Sequence, residues 1–279
     1  CVWVLEESET ELEPQNPAWA RLWAALTEQL RAYPLTAELF LLRFWPEEIE
    51  EDLRKLAERK EQYIIVTGRG NLEELIARWE SEGRQIIYPD DLPGDENSSI
   101  IAVDNERVGE LAAEELYRHG HRRIAALISR PDDQSISQLR YEGYVQALEG
   151  HGIPVEPELV ISAGGFGVKD AYDAVKASLE AGTDFTALFA IADSMAIGAM
   201  RALRDAGRRI PEDCSVIAID GLELSAYIEP PLTTLCQPMD ELGRRSAEIL
   251  LDMVQRKGAH ACELLPTTLR RGGSVVALQ

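Results

Sequence analysis

The stretch Ile210–Pro238 places a carboxylate where a buried strand should end. Ser215 to Ile219 is almost wholly apolar and runs into Asp220-Gly221. An acid delivered at the carboxyl end of a strand is how an open α/β sheet presents a ligand-binding group; a turn or helix-cap aspartate is the alternative. A second acid, Asp193, follows the apolar run 187–191 and precedes a helix expected from Met195, so it either meets a ligand or caps that helix. Beyond Asp220 come Pro230-Pro231 and an extended run, Leu232 to Cys236, which predict that the chain leaves the strand's sheet. Other reactive groups lack the company that chemistry requires. Gly68-Arg69-Gly70-Asn71 has neither the third glycine of a dinucleotide loop nor a Walker lysine, and a strand-to-helix turn accounts for it. Asp132-Asp133 has no further cation ligands in its loop. His119 and His121 lack metal-ligand spacing, and no G-x-S-x-G elbow occurs. No catalytic set, metal or cofactor is expected.

The elements that position these groups alternate. A chain of 279 residues exceeds one ordinary core, so two lobes are the default. With 45% hydrophobic and 28% charged residues it is globular. A formal charge of -21 argues against this chain gripping phosphates itself, or an anionic membrane. Four scattered cysteines favour reduced, mostly buried thiols and a cytoplasmic setting. No signal peptide and no bilayer-spanning run is apparent. Strands are expected at CVWVL, AELFLLRF, YIIV, QIIY and SIIAV in the first part, then at RIAALIS, LVIS, ALFAIAD and SVIAID. Between them fall helices: one capped by Asn16 with Trp19, Leu22, Trp23, Leu26 and Leu30 on one face, one opened by Pro46, and one capped by Asn71. Further helices span Glu106 to His119, Ser137 to Glu149 (closed by Gly150), Lys169 to Glu180, Met195 to Ala206 and Pro238 to Lys257. A last strand near Glu263–Leu265 precedes a short tail. This alternation predicts an α/β fold of two doubly wound, mostly parallel sheets.

Several blocks then carry a resemblance. Val103-Asp104-Asn105 leading into Gly109, Gly120-His121-Arg122-Arg123-Ile124, Arg140-x-x-Gly143-Tyr144, Asp193-x-Met195-Ala196-x-Gly198, Ile210-Pro211-x-Asp213-x-Ser215-Val216, and Pro230-Pro231-Leu232-Thr233-Thr234 with Gln237-Pro238 stand in one order. Together with Asn16-Pro17-Ala18-Trp19, they resemble the LacI/GalR family of bacterial transcriptional regulators. The resemblance implies a periplasmic-binding-protein-like effector domain. Its N-terminal lobe would be residues 1–104 plus 238–265 and its C-terminal lobe 105–237 plus 266–279, joined by three crossings, with a small sugar-like effector between them. The family's DNA-binding headpiece would precede the first strand and is not matched here, so operator DNA is expected to be reached only through it, by a homodimer.

A polyol is best held by carboxylates, a guanidinium fork and flat rings. By resemblance, Asp220 is the ligand acid, Arg140 the hydroxyl-binding arginine and Phe166 a stacking ring, against core packing as the ordinary role of a phenylalanine. Trp19 supplies a facing ring or buries in its helix, Asp193 takes a hydroxyl or caps, and Asp104 holds a ligand or a nearby cation. Ala192 stands where the family has asparagine, so one hydroxyl contact is absent. Arg140→Ala is expected to abolish effector binding and leave folding intact. The rival readings are a solute-binding protein of the same fold, an enzyme using Asp193 and Asp220, and a dimerisation module that binds nothing.

Overall fold

The computed structural model describes residues 2–6, 17–33, 35, 37–42, 46–67, 72–89, 99–129, 136–256 and 261–278. The chain divides into two compact units, 1–103 with 238–265 and 104–237 with 266–279.

The first unit runs β1 (Val2–Glu6), α1 (Pro17–Leu30), β2 (Glu38–Leu42), α2 (Pro46–Ala57), β3 (Tyr63–Thr67), α3 (Glu73–Ser81), β4 (Gln85–Pro89) and β5 (Ser99–Val103). The second contributes α4 (Asn105–Arg118), β6 (Ile124–Ile128), α5 (Ile136–Gly150), β7 (Val160–Ser162), α6 (Val168–Glu180), β8 (Ala187–Ala190), α7 (Asp193–Asp205), β9 (Ser215–Asp220) and β10 (Thr233–Cys236). The chain returns to the first unit for α8 (Met239–Arg256) and β11 (Cys262–Leu265), and ends in the second with β12 (Thr268–Arg270).

Each unit holds one six-stranded sheet. The first has the order β11-β5-β4-β3-β1-β2 with every pair parallel. The second has the order β12-β10-β9-β8-β6-β7, parallel except for β10 against β12. The β-rich apolar runs become central strands because both faces are covered: every residue of β6, β8 and β9 is buried. In the first unit Leu56, Ile64, Val66, Ile76 and Trp79 form one buried cluster, with Ile49 and Leu53 partly buried against it. Leu22, Leu26 and Leu30 carry the buried face of α1, while Trp19 and Trp23 are half-buried.

Several expectations are corrected. The run after Pro231 does not leave the sheet: β10 lies parallel beside β9, pairing Thr233 with Ile217 and Cys236 with Asp220. Glu263–Leu265 is not the last strand, since β12 follows it and pairs antiparallel with β10. Gly150 is still helical, and the chain turns at Gly152, whose φ of 71° needs a residue without Cβ. Helix α7 begins at Asp193, two residues earlier than expected. The N-cap position of α3 falls on Leu72, which makes no side-chain cap; Asn71, like Asn16, lies outside the described residues. Of the cysteines, Cys214 is buried, Cys236 half-buried and Cys262 exposed; Cys1 lies outside the described residues. Asp104 belongs to the second unit, not the first.

Candidate functional site

In the second unit the strand order reverses between β6 and β8, and the carboxyl ends of β8 and β9 lie side by side. Ligands of open α/β sheets bind at this kind of crevice. Helix α5, which follows β6, brings Arg140 there. Two glycines set its depth. A Cβ on Gly109 of α4 would run into the Arg140 carbonyl, and one on Gly143 of α5 into the Glu106 carbonyl. The N-x-x-x-G and R-x-x-G spacings are therefore a close helix crossing, and the crossing puts Asn105 against Arg140.

Arg140 is buried. Its Nε donates to Asn105 Oδ1 at 2.8 Å, and one terminal nitrogen donates to the Ile191 carbonyl at 2.7 Å and to Asp220 Oδ1 at 3.4 Å. The other terminal nitrogen has no hydrogen-bond partner among the described residues. Asp220 is equally buried and also accepts Gln237 Nε2 at 2.7 Å. That bond fixes the amide's orientation, because the flipped form would set two oxygens face to face. Gln237 Oε1 is then left without a partner among the described residues.

The burial of Arg140 corrects the expectation that Arg140→Ala leaves folding intact. Removing one partner of a buried ion pair strands the other, at about 3–5 kcal/mol.

Asp220 has φ 119°, alone among the described non-glycine residues in being positive. Such a backbone costs about 1–3 kcal/mol and persists only where its surroundings over-determine it. Here they do. The Asp220 carbonyl accepts Gln237 N–H at 3.1 Å, and the next residue is Gly221, where a Cβ would collide with Cys236.

Asp193 is fully buried and does not cap its own helix. Oδ2 accepts Leu222 N–H and the Ser225 hydroxyl, each at 2.7 Å, and Oδ1 accepts the Thr234 hydroxyl at 2.6 Å. Its own amide faces the Asp220 carboxylate instead. The N-cap residue Ala192 offers no side-chain bond, so Asp220 takes that part at the positive end of α7. Burial, and then the nearby Asp220 charge, push the Asp193 carboxyl up to about 7 against its three hydrogen bonds. Burial also pushes Asp220 up, opposed by Arg140, Gln237 and the Asp193 amide.

The remaining candidates fall differently. Phe166 is not core: it is 37% exposed, in a glycine-flanked turn whose carbonyl accepts the Ser194 hydroxyl at 2.8 Å. Asp104 is exposed and caps α4, accepting Arg107 N–H at 2.9 Å. Trp19 sits on α1 in the first unit. Arg140, Asp193 and Asp220 are thus brought together. Asn105, Gln237 and Thr234 join them; all three lay inside quoted motifs but had been given no role. Arg270 of β12, which binds the turn after Asp220, had no signal at all. Among the described residues no cluster suits a metal ion, and no helix is long and apolar enough to cross a membrane.

A second buried polar cluster lies at the amino end of the same sheet. His121 Nδ1 meets Thr186 Oγ1 at 3.1 Å, and Nε2 meets Ser215 Oγ at 3.0 Å and the Val276 carbonyl at 3.1 Å. Val276 can only accept, so Nε2 carries the proton and Nδ1 accepts from Thr186. Burial pulls the His121 pKa down and keeps the ring neutral.

Known proteins match this architecture. The family model described as periplasmic binding protein-like domain matches residues 113–275. The HTH-type transcriptional repressor CytR of Escherichia coli (strain K12) is 36% identical over 173 residues, 59% of this chain and 50% of that protein. The chain thus spans about half the length of this curated relative. A transcriptional regulator CelR–cellobiose complex superposes with TM-score 0.86 at 28% identity, over 98% of this chain and 84% of the other. A LacI family transcriptional regulator from Enterococcus faecium with bound ribose gives 0.83 at 26% identity over the whole of both chains.

Proposed function

The chain belongs to the periplasmic-binding-protein-like domain family, and from that premise we propose that it is the effector-sensing part of a LacI-type transcriptional regulator. It binds a small, uncharged, hydroxyl-rich molecule and performs no reaction on it. One observation carries this reading: beside the buried Asp220, Arg140 keeps a donor and Gln237 an acceptor unused by the described residues. A hydroxyl group both donates and accepts, and so answers both. The nearby acid and guanidinium already balance each other, which disfavours a strongly charged effector. Phe166 offers an exposed ring for the C–H face of such a molecule.

Two structural neighbours, one bound to cellobiose and one to ribose, support a sugar as the effector class. The charge of -21 supports operator contact through a separate headpiece and not through these residues. A homodimer in the cytoplasm completes the proposal, with effector occupancy as the signal it passes on. Asp104 and Asp193 remain part of the proposed site only as its surroundings, a helix cap and an internal hydrogen-bond acceptor; Trp19 belongs to the first unit.

Native mass spectrometry tests the proposal. The protein incubated with a mixture of pentoses, hexoses and disaccharides should retain one sugar, recoverable unchanged, and Asp220→Ala should lose the adduct. A recovered hydrolysis product that vanishes in Asp220→Ala would instead make the chain an enzyme.

A further inference from the structure

The turn that follows Asp220 is held from two sides by hydrogen bonds from an acidic and a basic residue that the effector reading does not use. On one side stands Asp193. It accepts the Leu222 amide, the Ser225 hydroxyl and the Thr234 hydroxyl, and Thr234 Oγ1 in turn accepts the Gly221 amide at 3.3 Å. On the other stands Arg270 of β12. Its terminal nitrogens donate to the Gly221 carbonyl at 3.5 Å, the Leu222 carbonyl at 3.1 Å and Ser225 Oγ at 2.5 Å. All four backbone polar groups of Gly221 and Leu222 are therefore bound by Asp193, by Arg270, or by a hydroxyl that Asp193 holds. The ladder builds this in, because Arg270 lies directly opposite Thr234 in the β10–β12 pairing.

We propose that Arg270 and Asp193 are positioning residues that lock the two peptide units after Asp220, and so keep Asp220 in its left-handed backbone geometry with its carboxylate on Arg140 and Gln237. Neither residue is assigned contact with the effector. A left-handed aspartate relaxes unless its neighbours forbid it, and free rotation of the Gly221 peptide is the route by which it would do so. Glycine at 221 leaves that route open, since it tolerates many conformations. The hydrogen bonds of Asp193 and Arg270 close it. The proposal rests on the effector reading only in giving Asp220 a purpose; the conformational claim stands on the hydrogen bonds alone.

Its test uses no effector. Arg270→Met keeps the length of the side chain and removes every donor. Amide exchange in the folded protein should then rise about tenfold at Gly221 and Leu222 and stay unchanged at Val216 and Val276. A double-mutant cycle adds a readout that mere packing would not move. Asp220→Gly removes the strain, so Arg270→Met should cost less in that background than in the wild type, with a coupling on the order of tenfold in the unfolding constant. Unchanged exchange at Gly221 and Leu222, or additive effects in the cycle, would overturn the proposal. If Arg270→Met does not fold, Arg270→Lys enters the same cycle, because one ammonium cannot serve both carbonyls and the hydroxyl in Arg270's planar geometry. Loss of the sugar adduct in Asp220→Ala tests the effector reading separately, so failure of one is distinguishable from failure of the other.

Discussion

At the amino end of the second unit's sheet, His121 is neutral and both of its ring nitrogens are engaged, by Thr186, Ser215 and the Val276 carbonyl. At the carboxyl end, Arg140 and Asp220 are as deeply buried but charged, and the cluster keeps a guanidinium nitrogen and an amide oxygen unengaged by the described residues. Both clusters include a residue of β9, Ser215 at one end and Asp220 at the other, and each has members in the family motifs, His121 and Ser215 in the first and Asn105, Arg140 and Gln237 in the second. What separates them is completeness. A closed network ties the C-terminal tail to the sheet: Leu278 N–H reaches the His119 carbonyl and Ser274 bridges Thr233 and Val216. An incomplete and charged network is costly to maintain, and its persistence is better explained by binding than by stability. The strained Asp220 backbone lies at this end as well.

The comparison can be broken first by truncation. Arg140→Ala leaves a buried carboxylate and Asn105 facing a void, so urea unfolding should lose about 3–5 kcal/mol. His121→Ala frees three neutral partners and should lose less, about 1–3 kcal/mol, with sugar binding unaltered. An equal loss in the two variants would mean that the ends differ less than their geometry says.

Titration sharpens the contrast, because the two ends should respond with opposite sign. Asp193 holds its proton more tightly when folded, with its pKa near 7 against about 3.9 unfolded. Its contribution is complete below about pH 4 and is lost as pH rises through 7, so wild-type stability should fall relative to Asp193→Asn by roughly 1–3 kcal/mol between pH 5 and pH 8. Asparagine can keep the contacts, its oxygen on Leu222 and its amide on Thr234 Oγ1. His121 is held neutral when folded, so the unfolded chain binds more protons, and stability should fall as pH drops below about 6.5. His121→Gln should lack that acid-side decline, which is the smallest of these effects. Chemical denaturation across pH 4.5–8 measures both.

Much of the fold was legible because its strands are buried on both faces and so appear as short apolar runs between helices of period 3.6. SIIAV, RIAALIS and SVIAID announced β5, β6 and β9 in this way. The strand Thr268–Arg270 announced nothing: it is three residues long, none of them fully buried, and only its pairing with β10 defines it. Arg270 went unrecognised for the same reason. At the site, Asp220 was legible from the strand that ends on it. The role of Asp193 was not, because a residue just before a helix has the same local sequence whether it caps the helix or turns inward. Three partners distant in sequence (Leu222, Ser225 and Thr234) settle which. Likewise Gly109 and Gly143 appear as motif letters in the sequence, and only the α4–α5 crossing shows that they place Arg140.

The proposed site places the effector at the carboxyl end of this sheet and not at the amino end. Thermal shift of the wild type, Asp220→Asn and His121→Gln against one panel of sugars and nucleosides tests it most directly. A compound that stabilises the wild type should stabilise His121→Gln by a similar increment and leave Asp220→Asn unmoved. Stabilisation of Asp220→Asn equal to that of the wild type would contradict the account, as would a panel in which no compound shifts the wild type.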